Sequence, residues 1–317
     1  MDNLLEVIDL RISFEREGAL LPAVDGTGFS LRRGETVCLV GESGCGKSVT
    51  ALSILGLLPP EARVSGDVLW MGEPSRPDRL RGREIAMVFQ EPSAALDPVM
   101  TVGDQIAESL RFVGGMGRRE AGARAVELLA QMGVGDSARI ARAYPHQLSG
   151  GVCQRVMISI ALACNPSLLL ADEPTTALDV TVQAQILSLL RRAVEDRGLA
   201  LFLVTHDMGV VARMADRVLV MYAGQIVEEG EARALLCAPK HPYTRALLAC
   251  VPRMEGEEEL APIPGVPPVH AGQGGCPFAP RCPKAEARCV RERPVLRPSG
   301  EGGRAACHLL EGVDNPM

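Results

Sequence analysis

One glycine-rich loop constrains the fold of this chain more strongly than any other stretch. Residues 41–48 read GESGCGKS, which fits the pattern G-x-x-x-x-G-K-S of a phosphate-binding P-loop. A strand-like apolar run at 36–40 precedes the loop, and a helix-like run at 49–58 follows it. Glycines let the backbone wrap closely around phosphate, so that successive N–H groups and the helix N-terminus face the anion. The sequence therefore predicts a site for a nucleoside triphosphate.

The residues of this stretch that we predict to contact the nucleotide are Gly41, Ser43, Gly44, Cys45, Gly46, Lys47, Ser48 and Val49. Lys47 would reach the terminal phosphates as a point charge, and Ser48 would offer its hydroxyl to Mg²⁺. An ordinary glycine-rich turn is the alternative. It is disfavoured because the strand, the helix, the lysine and the serine are all in place.

Composition limits the class of protein. The 317 residues, 47% hydrophobic and 23% charged, suit a globular chain with one large domain and a smaller one. A net charge of −6 argues against a nucleic-acid partner held by a basic surface. No apolar stretch reaches the roughly 18 residues of a membrane span, and the acidic N-terminus lacks the basic start of a secretory signal. We expect a cytosolic protein that could dock on a membrane protein.

Three later apolar runs end in residues suited to chemistry. Gln90 follows the first, and its neutral amide can orient a water and touch a metal. Asp172 and Glu173 end the second, where Asp172 could hold Mg²⁺ through water and Glu173 could polarise an attacking water. His206 follows the third and could donate to the γ-phosphate. For Gln90 a merely solvated role stays open, and for His206 a structural one. For Asp172 and Glu173 a structural role is disfavoured, because two adjacent acids after a buried strand carry a desolvation cost.

These runs also predict the fold class. Ligands collect at the carboxyl ends of parallel strands, so the pattern predicts an α/β nucleotide-hydrolysing core. Residues 1–35 alternate apolar and polar side chains, which predicts antiparallel strands laid against the P-loop sheet. Phe14 in that segment could stack on adenine, although a strand core residue is an equally good interpretation. Residues 102–129 show helical periodicity that glycines break into two helices.

A second glycine pair predicts a second anion site. Residues 148–151 read LSGG and come directly before an apolar-periodic helix, which places the Ser149 hydroxyl and N–H groups at a helix N-terminus. A single P-loop nucleotide does not require two such sites. We therefore interpret Ser149, Gly150 and Gly151 as completing the nucleotide site of a partner subunit.

The order of these motifs resembles the ATP-binding cassette, the ATPase subunit of ABC transporters. The P-loop, Gln90, LSGG, LLLADE at 168–173, ALD at 177–179 and His206 follow one another, and the resemblance covers essentially the whole chain. It implies that Gln90 is the Q-loop residue, which senses the γ-phosphate and transmits to the membrane subunits. It implies that LSGG is the signature that caps the partner's ATP.

The same resemblance assigns the remaining motif residues. Asp172 and Glu173 would be the Walker B pair, and His206 would be the switch histidine. Asp179 would lie in the D-loop, which contacts the other subunit of the dimer. Phe14 stands where the adenine-stacking aromatic is expected.

The C-terminal part is similar to the extension of oligopeptide and dipeptide importer ATPases. The resemblance rests on HPYT at 241–244, IPGVPP at 263–268, and four cysteines: Cys276, Cys282, Cys289 and Cys307. In some of that family these cysteines bind a 4Fe–4S cluster. Their spacing lacks the C-x2-C knuckles usual for structural zinc, and the Cys-Pro pairs suit an iron–sulfur loop. We expect an iron–sulfur cluster, with zinc (and His308 as a ligand) or four reduced thiols as alternatives.

The signature departs from the family pattern at one point. Val152 and Cys153 stand where the family often has a long or basic pair, while Gln154 and Arg155 are kept. Cys153 and Cys45 each lie near a predicted helix N-terminus. We expect this position to lower the pKa of both thiols and to make them reactive.

The expected fold is α/β, a P-loop NTPase core of the ABC ATPase type with an antiparallel β subdomain, an α-helical subdomain and a cysteine-containing C-terminal extension. We place the ATPase domain at 1–235, with the helical and signature subdomain inserted at 91–160. The extension follows at 236–317.

The resemblance implies the ATP-hydrolysing subunit of an ABC importer that powers uptake of di- and oligopeptides. ATP would be bound with Mg²⁺, which Ser48, Gln90 and Asp172 would hold. The implied partners are a second, related ATPase subunit in a heterodimer (a homodimer stays open), two membrane permease subunits and, indirectly, a periplasmic or extracellular substrate-binding protein. No nucleic acid is expected, and the chain would lie peripherally on the cytoplasmic face of the inner or plasma membrane.

Other functions stay open as alternatives. Nickel or glutathione could replace peptide as the solute. A soluble ABC ATPase acting on DNA ends or ribosomes is disfavoured, because no long coiled-coil insertion separates the P-loop from LSGG. A sensor built on the cysteine tail is disfavoured because the hydrolysis residues are intact.

Overall fold

The computed structural model describes residues 3–16, 18–176, 178–250, 263–268, 274–300 and 302–310. They belong to two compact units. The first unit comprises Met1–Arg32, Thr36–Pro74 and Val204–Met317, and the second comprises Arg33–Glu35 and Ser75–Leu203. The second unit is thus inserted, in sequence, within the first.

The strands in the described residues are, in chain order, β1 (Leu5–Arg16), β2 (Ala19–Leu31), β3 (Thr36–Val40), β4 (Ala62–Trp70), β5 (Glu73–Pro74), β6 (Ile85–Val88), β7 (Leu168–Asp172), β8 (Ala200–Thr205), β9 (Arg217–Tyr222), β10 (Gln225–Glu231), β11 (Arg297–Pro298) and β12 (Arg304–Ala305). The helices are α1 (Lys47–Ile54), α2 (Pro77–Leu80), α3 (Pro92–Ala95), α4 (Val102–Phe112), α5 (Arg118–Gln131), α6 (Ser137–Ile140), α7 (Gly150–Leu162), α8 (Val180–Arg197), α9 (Met208–Met214), α10 (Ala232–Cys237), α11 (Pro242–Ala249) and α12 (Ala287–Arg291). Short 3₁₀ turns lie at Pro145–Gln147, Ala279–Arg281 and His308–Leu310.

The first unit contains an antiparallel sheet in the order β2-β1-β4-β5, so the antiparallel strands predicted for residues 1–35 are present. Strand β1 pairs with β2 and β4, with Leu5 opposite both Leu31 and Trp70. A register shift follows Val7, and Asp9 there has a φ of 46°. The bulge moves the inward face by one residue, which explains why Leu10 and Ile12 are buried after Leu5 and Val7.

A second set of strands in the first unit carries the P-loop. Strand β3 runs parallel to β9, and β9, β10, β12 and β11 follow one another as antiparallel neighbours. Every residue of β3 is buried. That burial explains its continuous apolar sequence, because a strand covered on both faces has no solvent side.

The second unit combines a short parallel sheet with most of the longer helices. Strand β7 lies between β6, to which it is parallel, and β8, whose last two residues count with the first unit. The two helices predicted for residues 102–129 are present as α4 and α5, separated by a glycine-containing segment. Helix α4 begins at a Thr101 cap, whose hydroxyl accepts from the Asp104 N–H at 3.2 Å.

None of the helices in the described residues combines the length and the apolar character of a membrane span.

Candidate active site

The P-loop joins β3 to α1 within the first unit. Gly46, just before α1, has a φ of 105°, and a Cβ there would lie 2.7 Å from the Ala23 carbonyl oxygen. At Gly41 a Cβ would collide with the Met221 carbonyl. Only glycine fits at these two positions, so the loop keeps a tight path that leaves its backbone close to a bound anion.

The charge of the P-loop comes from Lys47, which is only 6% exposed. Its ammonium donates to the carbonyl oxygens of Gly41 at 2.9 Å and Glu42 at 2.8 Å. Two carbonyl dipoles hold the ammonium without cancelling its charge, so the loop presents a fixed cation beside the start of α1. Ser48, the second residue of that helix, is half-buried.

The predicted catalytic carboxylate lies at the end of β7 in the second unit. Asp172 is buried, with 5% exposed, and Glu173 is half-buried with a φ of 44°. The Gln90 amide donates to Glu173 Oε2 at 3.1 Å, although the two residues are 83 positions apart. Thr176 Oγ1 donates to the same oxygen at 2.8 Å. Glu173 is thus held in a strained backbone conformation, with its carboxylate aimed by two donors.

Thr176 is a site residue that the sequence analysis missed. The only available signal was a hydroxyl three residues after the acid, a spacing that also occurs in ordinary turns. The Gln90–Glu173 contact confirms that the structure brings two of the predicted residues together.

Three other predicted residues lie at or near the surface. Phe14 is half-buried in β1, and His206 is exposed directly after β8. Asp179 is exposed and caps α8, because its Oδ1 accepts from the Val182 N–H at 2.9 Å. Ala177, the first residue of the ALD motif, lies outside the described residues.

The LSGG segment leads into α7 in the second unit. Ser149 is the N-cap residue, and its side chain makes no capping hydrogen bond. Ser149 and Gly150 are exposed, and a Cβ built on Gly150 would meet no atom within 4 Å. At Gly151, by contrast, a Cβ would lie 2.9 Å from Val182 Cγ1. The predicted second anion site is therefore an open helix N-terminus.

The prediction of lowered pKa values for Cys45 and Cys153 is wrong. Both side chains are buried, and burial is the largest influence and raises the pKa of each thiol. Lys47, whose Nζ lies 3.8 Å from the Cys45 sulfur, acts in the opposite direction but more weakly. Position near a helix N-terminus therefore does not make these thiols reactive.

The predicted iron–sulfur cluster is also wrong, and the part of the chain that the structure describes shows no zinc site in its place. The described residues, which include all four late cysteines, contain no group of three or more His, Cys, Asp or Glu side chains that could hold a metal ion. Burial raises the pKa of Cys276 to about 11 and also raises the pKa of Cys307. A metal needs several thiolates that converge on one point.

Comparisons with known proteins agree with the P-loop chemistry. A sequence model of the family "ABC transporter" matches residues 24–176, and one of "Oligopeptide/dipeptide transporter, C-terminal region" matches residues 227–289. The chain is 47% identical over 325 residues to the oligopeptide transport ATP-binding protein AppD of Bacillus subtilis, with 98% of each chain covered. The chain belongs to the ABC transporter family of ATP-binding proteins.

Further relatives of this ABC ATPase support the assignment. It is 46% identical over 324 residues to the dipeptide transport ATP-binding protein DppD of Escherichia coli, with 99% of each chain covered. Among solved structures it is similar to the ATP-binding cassette MJ0796 in a dimeric, post-hydrolysis state bound to ADP and Pi. That likeness has a TM-score of 0.64 at 30% identity and covers 72% of this chain and 99% of the other. The predicted ABC ATPase fold is confirmed.

Proposed function

We propose that this protein is the ATP-hydrolysing subunit of an ABC importer and that it powers the uptake of di- or oligopeptides. Membership of the ABC transporter family supports the ATPase activity. The match of residues 227–289 to the oligopeptide/dipeptide transporter C-terminal region supports peptide as the solute, as do the names of relatives aligned over nearly their whole length. This extension is the feature that favours peptide over nickel or glutathione.

The P-loop holds the phosphates in this proposal. Its glycines fit a close backbone approach, and the buried Lys47 supplies the positive charge for the terminal phosphates. Mg²⁺, when bound, neutralises charge on the phosphates, and Ser48, Gln90 and Asp172 are the side chains that would hold it. Phe14, partly exposed in β1, is the candidate for stacking on adenine.

The observation that carries the hydrolysis step is the pair of hydrogen bonds to Glu173. Gln90 and Thr176 both donate to Oε2, which fixes the plane of the carboxylate before any water is bound. A carboxylate fixed in this way can accept a proton from an attacking water without reorganising. Gln90 then links the hydrolytic carboxylate to the segment that follows β6. His206 would contact the γ-phosphate.

The open LSGG segment supports a second ATPase subunit as partner. Ser149 and Gly150 are exposed at the start of α7, where with Gly151 they would bind an anion, and each subunit would present this helix end to the ATP of the other. Asp179 would contribute to the same dimer contact. We propose a related chain as the second subunit.

The proposed membrane partners and membrane location are inferred from membership of the ABC transporter family. Two permease subunits would carry the peptide, and a substrate-binding protein would deliver it on the far side. The ATPase would sit peripherally at the cytoplasmic face of the membrane and drive the permeases through the region of Gln90.

The decisive experiment uses Glu173→Gln in the assembled transporter. We expect the variant to bind ATP while hydrolysis and the uptake of a labelled tripeptide both fall by about 10²–10⁴-fold, because water polarisation is lost while the phosphate contacts remain. Glu127→Gln is the matched control, since that exposed carboxylate forms a surface ion pair with Arg124 on α5, away from the Gln90–Glu173 contact. Hydrolysis at the wild-type rate would show that Glu173 does not polarise the attacking water. If the transporter took up nickel or glutathione but not the tripeptide, the proposal that di- or oligopeptides are the solute would be wrong.

A further inference from the structure

Arg281, in the C-terminal extension, forms a partly buried ion pair with Glu42 of the P-loop. Its side chain is 5% exposed, and its guanidinium binds both carboxylate oxygens of Glu42, at 2.6 Å to Oε2 and 3.0 Å to Oε1. The two residues are 239 positions apart in the chain. A two-pronged arrangement of this kind fixes orientation as well as distance.

The extension itself holds Arg281 in place. Its Nε donates to the Pro264 carbonyl at 2.8 Å, and Nη2 donates to the Ile263 carbonyl at 3.3 Å. Nη1 also reaches the Tyr222 hydroxyl at 3.2 Å, from β9. The guanidinium therefore bridges the IPGVPP segment, strand β9 and the P-loop.

The backbone of Glu42 is fixed as well. Its N–H donates to the Tyr243 hydroxyl at 2.9 Å, and its carbonyl oxygen accepts from Lys47 Nζ at 2.8 Å. Tyr243 is fully buried, with ring centroids 4.5 Å from Tyr222 and 5.4 Å from Phe278. The N–H, the C=O and the carboxylate of this one P-loop residue are thus each bound, and two of the three partners come from the extension.

We propose that Arg281 is a positioning residue through which the C-terminal extension sets the nucleotide affinity of the P-loop. Glu42 is the second residue of the loop, and Lys47 is tied to its carbonyl. Fixing Glu42 therefore orders the loop before phosphate arrives and lowers the entropy cost of binding. By linkage, any event that displaces the extension from Glu42 weakens nucleotide binding. Bound nucleotide in turn stabilises the Arg281–Glu42 contact, here called the clamp, by the same factor. The proposal rests on the proposed nucleotide binding by the P-loop.

The test measures binding of ADP with Mg²⁺ to the full chain by calorimetry. Arg281→Gln is expected to weaken ADP binding roughly tenfold, and Glu42→Gln by a similar factor. The double variant should be no weaker than either single variant, because both remove one interaction. Arg281→Lys keeps the positive charge but cannot bind both carboxylate oxygens as the planar guanidinium does. It should therefore recover only part of the lost ADP affinity.

Arg304→Gln is the matched control. Arg304 Nε binds Glu229 Oε1 at 2.6 Å and so joins β12 of the extension to β10, without reaching the P-loop. It should lower thermal stability and leave the Kd for ADP within about twofold of wild type. Additive effects of Arg281→Gln and Glu42→Gln would overturn the clamp, as would an equal loss in Arg304→Gln. A wild-type chain that does not bind ADP would overturn the proposed function itself.

Discussion

The P-loop and the LSGG segment both place glycines at a helix N-terminus, but they differ in how closely the chain packs around the first residues of the helix. In the P-loop, Gly46 and Lys47 are buried, whereas Ser149 and Gly150 of LSGG are exposed. A Cβ at Gly46 would strike backbone, whereas one at Gly150 would meet open space. The first turn of α1 is thus packed against its own chain, whereas the start of α7 is left open, as the proposed completion by a partner subunit requires.

The two sites also differ in the charge they hold. The P-loop contains the Lys47 ammonium and is tied to the extension through Glu42, while LSGG offers a serine hydroxyl and helix N–H groups. A cation with a fixed loop can hold phosphate alone. An exposed helix end contributes less, typically about 0.3–1 kcal/mol for an anion near its N-terminus. The difference is consistent with the proposal that LSGG serves the nucleotide of a partner subunit.

The largest expected effect is the difference between adding a methyl group to the P-loop and adding one to the LSGG segment. Gly46→Ala should lower the free energy of unfolding by about 3 kcal/mol and abolish nucleotide binding, because φ is positive and the Ala23 carbonyl is in the way. Gly150→Ala, with nothing near its Cβ, should cost less than about 0.5 kcal/mol. Denaturant unfolding measures both. Equal costs would break the distinction between an enclosed and an open site.

A charge placed in the open site should separate binding from hydrolysis. Gly150→Asp has room for its side chain in the isolated subunit, so folding and ADP affinity should remain close to wild type. ATP hydrolysis by the assembled transporter should fall about a hundredfold, because the carboxylate would repel the partner's phosphates. Calorimetry measures the ADP affinity of the isolated chain, and a phosphate-release assay measures ATP hydrolysis by the assembled transporter. Loss of ADP binding in the isolated chain would show that LSGG serves its own nucleotide.

The smallest effect concerns the packing behind the P-loop. Burial holds the pKa of His241 at about 4, below its ordinary value near 6.5, and its Nδ1 accepts from the Tyr243 N–H at 3.0 Å. Since the unfolded chain binds the proton more readily, the stability from neutral His241 is present above pH 6.5 and is lost as pH falls towards 4. The free energy of unfolding should drop by about 2 kcal/mol between pH 7 and pH 5 from this group.

His241→Asn is the variant that checks this assignment. Its side-chain oxygen can still accept a hydrogen bond but does not titrate, so stability should change less between pH 7 and pH 5 than in wild type. Thermal unfolding at the two pH values measures the difference. An unchanged pH dependence would show that another group titrates.

Much of the site could be predicted from the sequence because it depends on local pattern. A P-loop needs glycines, Lys47 and Ser48 at fixed offsets between a strand and a helix, and all of these are visible in residues 36–58. The apolar run before Asp172 predicted a buried strand, and β7 is buried throughout. The order of these motifs along the chain was enough to indicate an ABC ATPase.

The cysteines mark where local pattern was insufficient. Spacing and Cys-Pro pairs suggested an iron–sulfur loop, but a metal site depends on whether thiolates converge on one point. Nearness to a helix N-terminus suggested reactive thiols at Cys45 and Cys153, but burial dominates their pKa values. Convergence and burial are both products of packing, which spacing along a chain does not report.

The sequence by itself determined the chemistry of the nucleotide loop, because backbone conformations open only to glycine and a fixed lysine offset are local properties. Only the tertiary structure decided which residues hold that chemistry in position. Gln90 and Thr176 meet on one oxygen of Glu173, and Arg281 reaches Glu42 across 239 residues. The Gln90–Glu173 and Arg281–Glu42 contacts join side chains that are far apart in the chain, and only folding brings them within hydrogen-bond distance.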